Sequence, residues 1–243
     1  MNFTSIKEVE QFKGMLQPLS NSVQGRCYLE QNSNTVYKFF EDWEDDEFND
    51  FSSEQLLQFK DIKTDTFIFP QECLYLNERV IGYTTKYVLG KLLCKTNPLT
   101  INLNSFIEML KTAISDIEYI THEGVNIYDL MYNIMLGNGI YIIDTVEYTK
   151  RLMDYDILYQ KNIRGFNIEI SKYLIDGYFN ELINNHKILL KMYNSSNQNM
   201  SIIEFVTTFK EYISNTLGHE IETLAEAKKL MNKNEHKLTY KRD

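Results

Sequence analysis

Phe106, Ile107, Leu110, Ile114, Ile117 and Ile120 recur at spacings of three and four within residues 103–121. That period puts all of them on one face of a helix about five turns long. So continuous an apolar face has to be covered by other elements, and the chain beyond residue 100 is therefore expected to be mainly helical. Upstream the pattern differs. Residues 25–30 (GRCYLE) and 35–40 (TVYKFF) read as strands joined by a turn at 31–34, and two further strands turn at Asn77-Glu78. Strands first and helices afterwards predict an α+β protein, and 243 residues can bury a core as one large domain or as two small lobes.

The connecting stretches are weaker. Ile6, Val9, Phe12 and Leu16 fit a short amphipathic helix or an irregular opening strand. A helix carrying Leu56 and Phe59 is expected to start at an N-cap on Ser52 or Ser53. After residue 148 short helices or a loop precede a helix, residues 182–192 and 202–217 are helical candidates, and Ile221, Leu224, Ala227 and Met231 share one face.

Charge and composition exclude some functions. A net charge of -9 over 243 residues argues against broad nucleic-acid binding, which relies on Lys and Arg neutralising phosphates. Cys27, Cys73 and Cys94 are widely spaced, so neither a zinc site nor a disulfide framework is expected. The first residues lack the apolar run of a secretory signal, and no stretch is long and apolar enough to span a membrane. A cytoplasmic protein without a membrane partner is the expectation.

Residues 121–148, THEGVNIYDLMYNIMLGNGIYIIDTVEY, carry the chemistry. Asp129 and Asn133 flank Leu130-Met131-Tyr132, a hairpin turns at residues 137–139, and Asp144 follows Tyr141-Ile142-Ile143. A hard divalent cation that bridges phosphates needs one or two carboxylates and an amide oxygen held rigidly by such short strands.

This order resembles the catalytic loop and metal-binding Asp of the protein kinase-like superfamily, which includes small-molecule phosphotransferases. The resemblance covers roughly the first 150 residues and departs from the pattern at three places. The Asp129-to-Asn133 interval is four rather than five, Ile127-Tyr128 replaces His-Arg, and Thr145-Val146 replaces Phe-Gly. It implies a small antiparallel β-sheet lobe with one helix over residues 1–88, which binds the nucleotide, followed by a mainly helical lobe over residues 89–243, which carries the catalytic loop. Asp129 would be the catalytic base, with Asn133 and Asp144 as Mg²⁺ ligands. Lys38 would meet the α- and β-phosphates of ATP, fixed by Glu54, with Glu47 the alternative. Gly25 would lie in the loop over the phosphates, and the backbone of Lys86, Tyr87 and Val88 would meet adenine. The activity implied is transfer of the γ-phosphate of ATP to a hydroxyl of a protein or small molecule. A nucleotide-binding pseudokinase or interaction protein is the alternative.

Overall fold

The computed structural model of the chain describes residues 1–22, 25–41, 51–195 and 201–231. The chain is α+β and forms two compact units, Met1–Leu89 with Ile143–Glu147, and Gly90–Ile142 with Tyr148–Asp243. A simple division near residue 88 therefore misses one segment. Ile143–Glu147, which follow the hairpin turning at residues 137–139, belong to the first unit.

The first unit is built on a six-stranded sheet. Its strands are β1 (Asn2–Phe3), β2 (Gln17–Ser22), β3 (Gly25–Glu30), β4 (Thr35–Phe40), β5 (Glu72–Leu76) and β6 (Arg79–Lys86). Their order is β1-β5-β6-β4-β3-β2. The sheet is mixed rather than wholly antiparallel, because β1 pairs parallel with β5. It carries two helices rather than one, α1 (Ile6–Gly14), capped by Ser5, and α2 (Ser53–Leu57), capped by Ser52 through a capping box with Gln55.

β4 lies inside the sheet, and both its faces are covered, which accounts for its nearly unbroken apolar sequence. Tyr37 and Phe39 face α1, where Phe12 meets Tyr37 edge-on at 5.1 Å. On the opposite face Phe40 stacks on Phe51 at 5.2 Å and meets Tyr83 at 6.0 Å. Lys38 alternates with Phe39 and so shares the face of Phe40.

Two glycines let the neighbouring strands approach β4. A Cβ on Gly25 would stand 2.1 Å from the Phe39 carbonyl oxygen, and one on Gly82 would stand 2.1 Å from that of Lys38. Either side chain would force its strand away from β4, at Phe39 for Gly25 and at Lys38 for Gly82.

The second unit contains two small sheets. β7 (Gly90–Leu92), β9 (Ile134–Gly137) and β10 (Ile140–Ile142) form one in the order β10-β9-β7, and β8 (Val125–Asn126) pairs with β11 (Thr149–Lys150) in the other. Around them lie α3 (Leu103–His122), α4 (Tyr155–Ile175), α5 (Asn180–Asn184), α6 (Lys187–Ser195) and α7 (Ile202–Leu217). Phe106, Leu110 and Ile117 of α3, Phe166 of α4, and Phe205 and Phe209 of α7 are fully buried in this unit's core.

Two helical expectations change here. α4 is one continuous helix of 21 residues rather than short helices or a loop. Its Gly165 and its buried Asn162 and Asn167 interrupt the apolar period that would have marked it. The helix expected over residues 182–192 is broken after Asn184, and His186 Nδ1 accepts from the Leu189 N–H at 3.1 Å where the chain becomes helical again. Among the described residues, no helix is long and apolar enough to cross a membrane.

Candidate functional site

In the first unit the site is assembled across β3, β4 and β6. Lys38 lies directly opposite Cys27 on β3 and Tyr83 on β6, so the three side chains form one row on one sheet face. The Lys38 stem is buried, and its ammonium lies 5.7 Å from the centre of the Tyr83 ring.

Asp144 enters this row from the returning segment. Thr145 Oγ1 donates to the Ile68 carbonyl at 3.2 Å and Val146 is buried in the first unit's core, which anchors the segment on its far side. Asp144 itself adopts a left-handed backbone conformation, φ 57°, which Asp tolerates better than most residues. Its Oδ1 accepts from Lys38 Nζ at 2.6 Å and from the Tyr83 hydroxyl at 3.2 Å. Oδ2 has no hydrogen bond among the described residues.

This carboxylate is half-buried beside a buried lysine. Side-chain exposure is 7% for Lys38 and 20% for Asp144. Burial first, and the Asp144 charge second, push the Tyr83 phenol well above its ordinary pKa. Lys38 supplies a counter-charge to the Asp144 carboxylate.

Glu54 does not pair with Lys38. It is exposed in the first turn of α2, where its charge is felt by Cys73 and Tyr75. A five-residue helix capped at Ser52 fixes that turn on the surface, and the ion pair of Lys38 is made with Asp144 instead. Glu47, the alternative, lies outside the described residues. Residues 23–24, directly ahead of Gly25, are also outside them, and the close approach to Phe39 already accounts for this glycine. At the end of β6, Lys86 pairs with Thr35 and is exposed, and the Tyr87 N–H donates to the Asn34 carbonyl at 2.8 Å. That amide is therefore committed to the turn.

In the second unit the loop between β8 and β9 is clamped by α4. Asn162 Oδ1 accepts from the Ile127 N–H at 2.9 Å, while its Nδ2 donates to Thr121 Oγ1 at 3.0 Å and to the Val125 carbonyl at 2.8 Å. All hydrogen-bonding atoms of this buried amide are engaged with the start of the loop. Leu130 buries the middle of the loop, and the exposed Asp129 has φ 42°.

Asn133 closes the turn. Its N–H donates to the Leu130 carbonyl at 3.1 Å, and its Nδ2 donates to the Asp129 carbonyl at 2.9 Å. The interval of four residues is thus accommodated by a compact turn that leaves the Asn133 Oδ1 as an acceptor.

A cavity of about 230 Å³ lies between this loop and α4, lined by Tyr128, Asp129, Met131, Lys161, Gly165 and Glu169 among others. Tyr128 is 58% exposed at this surface and is not the packing residue that its apolar surroundings in the sequence suggest. Lys161 Nζ is engaged by Asn126 Oδ1 at 2.5 Å. Burial raises the pKa of Glu169, Lys172 offsets part of this, and the Asp129 charge adds to it. His122 stacks on Tyr155 at 4.1 Å, a packing role.

Among the described residues no group of three His, Cys, Asp or Glu side chains is placed to hold a metal by itself. The carboxylate of Asp144 in the first unit and the amide oxygen of Asn133 in the second are each the hard oxygen type that Mg²⁺ takes. The sequence gives no sign of Tyr83, which reads as one more strand aromatic. Asn162 leaves a faint sign, a polar residue four positions after Leu158 and four before Phe166. Against known proteins, no family model matches the chain and no curated protein matches it.

Proposed function

We propose that the chain is an ATP- and Mg²⁺-dependent phosphotransferase with a protein kinase-like fold. The observation that carries this reading is the Lys38–Asp144 ion pair, made at 2.6 Å between residues 106 positions apart. Residue order alone called for a strand lysine and a carboxylate after an Ile-Ile strand, and the two meet in a setting where burial strengthens their interaction.

Lys38 exchanges the Asp144 carboxylate for the nucleotide α- and β-phosphates. Asp144 and Asn133 would be the residues to hold Mg²⁺, which would supply positive charge to stabilise the phosphates. Asp129 accepts the proton of the acceptor hydroxyl as its oxygen bonds to the γ-phosphorus. The bond from that phosphorus to the β-γ bridging oxygen breaks, and ADP leaves. The acceptor is a hydroxyl-bearing protein or small molecule, received at the cavity beside Asp129.

A second reading, nucleotide binding without turnover, draws on one observation, that Glu54 does not hold Lys38. Thermal denaturation with and without ATP plus Mg²⁺, beside Asp144→Ala, tests the binding site common to both. A ligand at a hundredfold excess over its Kd stabilises the native state by about 2.7 kcal/mol. A magnesium-dependent shift that the variant loses supports the reading, and the absence of a shift at millimolar ATP overturns it. Transfer of radiolabelled γ-phosphate then separates the kinase from the silent binder.

A further inference from the structure

We infer that Tyr83 is a positioning residue for Asp144, its hydroxyl tying Oδ1 so that Oδ2 is presented to the cation. This rests on the proposed role of Asp144 as a metal ligand. Two donors converge on Oδ1, Lys38 Nζ at 2.6 Å and the Tyr83 hydroxyl at 3.2 Å. They differ in what nucleotide binding does to them. The lysine is a long, flexible cation that phosphates attract away from the carboxylate. The tyrosine cannot follow, since it is 3% exposed and its ring packs against Phe40 at 6.0 Å.

Once Lys38 turns to phosphate, the Tyr83 hydroxyl is the remaining described donor on Asp144. A neutral phenol orients the carboxylate without repelling a divalent ion, as a second ammonium would. The need for such a donor follows from the segment itself. Asp144 stands in a left-handed conformation between β10 and Thr145, on a stretch that fixes its backbone and leaves the orientation of the carboxylate to its donors. Hydrogen bonds to a ligating carboxylate fix its orientation, and their loss typically weakens metal affinity about 10- to 100-fold.

The alternative role for Tyr83 is burial of a ring whose hydroxyl takes the nearest acceptor. The two roles separate in a titration of Mn²⁺, used as a paramagnetic stand-in for Mg²⁺, into the full chain with a non-hydrolysable ATP analogue. Free Mn²⁺ is read by electron paramagnetic resonance, and analogue affinity is measured separately without metal. Tyr83→Phe is expected to weaken Mn²⁺ binding about tenfold or more while metal-free analogue binding stays unchanged. Mn²⁺ affinity equal to that of the wild type overturns the inference, as does a parallel loss of both affinities. Asp144→Asn is run alongside. If it binds Mn²⁺ like the wild type, the metal role of Asp144 fails and the inference falls with it. If Asp144→Asn is weak and Tyr83→Phe is not, only the inference falls. Should Tyr83→Phe prove unstable, Tyr83→Met makes the same comparison.

Discussion

Lys38 and Tyr83 face each other across β4 and β6, and their polar ends converge on a single oxygen of Asp144. One row of a sheet thus delivers a cation and a neutral donor to a carboxylate that arrives from a distant part of the chain. Chemistry and stability are coupled at this point, because the same contacts anchor the returning segment.

Lys38→Met should therefore destabilise the protein by about 3 kcal/mol. That is the low end for breaking a buried ion pair, since Asp144 keeps some access to water. Urea denaturation measures the loss, and an effect below about 1 kcal/mol would show the pair to be energetically idle.

Gly82→Ala and Gly14→Ala should act in opposite directions. The first drives a Cβ against the Lys38 carbonyl oxygen, at 2.1 Å, and overpacking of this kind costs about 1–3 kcal/mol or more. The second adds a methyl with nothing within 4 Å at the end of α1 and should stabilise by about 0.5 kcal/mol through helix propensity and chain entropy. Midpoints of chemical denaturation for the two variants give the comparison.

Asn162→Ala removes the clamp on the loop that carries Asp129. It strands the Ile127 N–H and the Val125 carbonyl in a buried site, a loss of about 2–4 kcal/mol. Hydrogen exchange at the Ile127 amide should accelerate more than exchange in the core of α3. Uniform acceleration would mean that the clamp has no local effect.

Asp129→Asn should lower phosphoryl transfer by about 10²- to 10⁴-fold, the range for loss of a general base. Binding of Mn²⁺ and nucleotide should be unaffected, because the proposed ligands are Asn133 and Asp144. A joint loss of binding and turnover would move Asp129 from base to structural residue.

Glu169 gives a dependence on pH. Its folded pKa is raised above the ordinary 4.5, chiefly by burial, so it binds its proton more readily in the folded state than in the unfolded one. The stability contributed by that proton is present at low pH and is lost as pH rises through the raised pKa. Glu169→Gln should therefore be more stable than the wild type at neutral pH, and the gap should close on acidification. Thermal midpoints across that range test the sign.

The sequence by itself determined the elements whose signals are local. The apolar face of α3, the hairpin of β3 and β4, the pair β5 and β6, and the turn at residues 137–139 each follow from spacing and turn chemistry within a few residues. It also marked Lys38, Asp129, Asn133 and Asp144, because a charge or an amide in an apolar run is visible without knowing its neighbours. Tertiary structure alone decided the partners. Asp144, not Glu54, meets Lys38, since pairing across 106 residues is set by sheet register and by a segment that leaves one unit to be anchored in the other. Gly82 and Tyr83 look like ordinary strand residues until β4 lies beside them. Asn162 looks like a flaw in a helix until its amide meets the loop that it holds. Spacing reports which face a residue is on, and only the packed chain reports what that face touches.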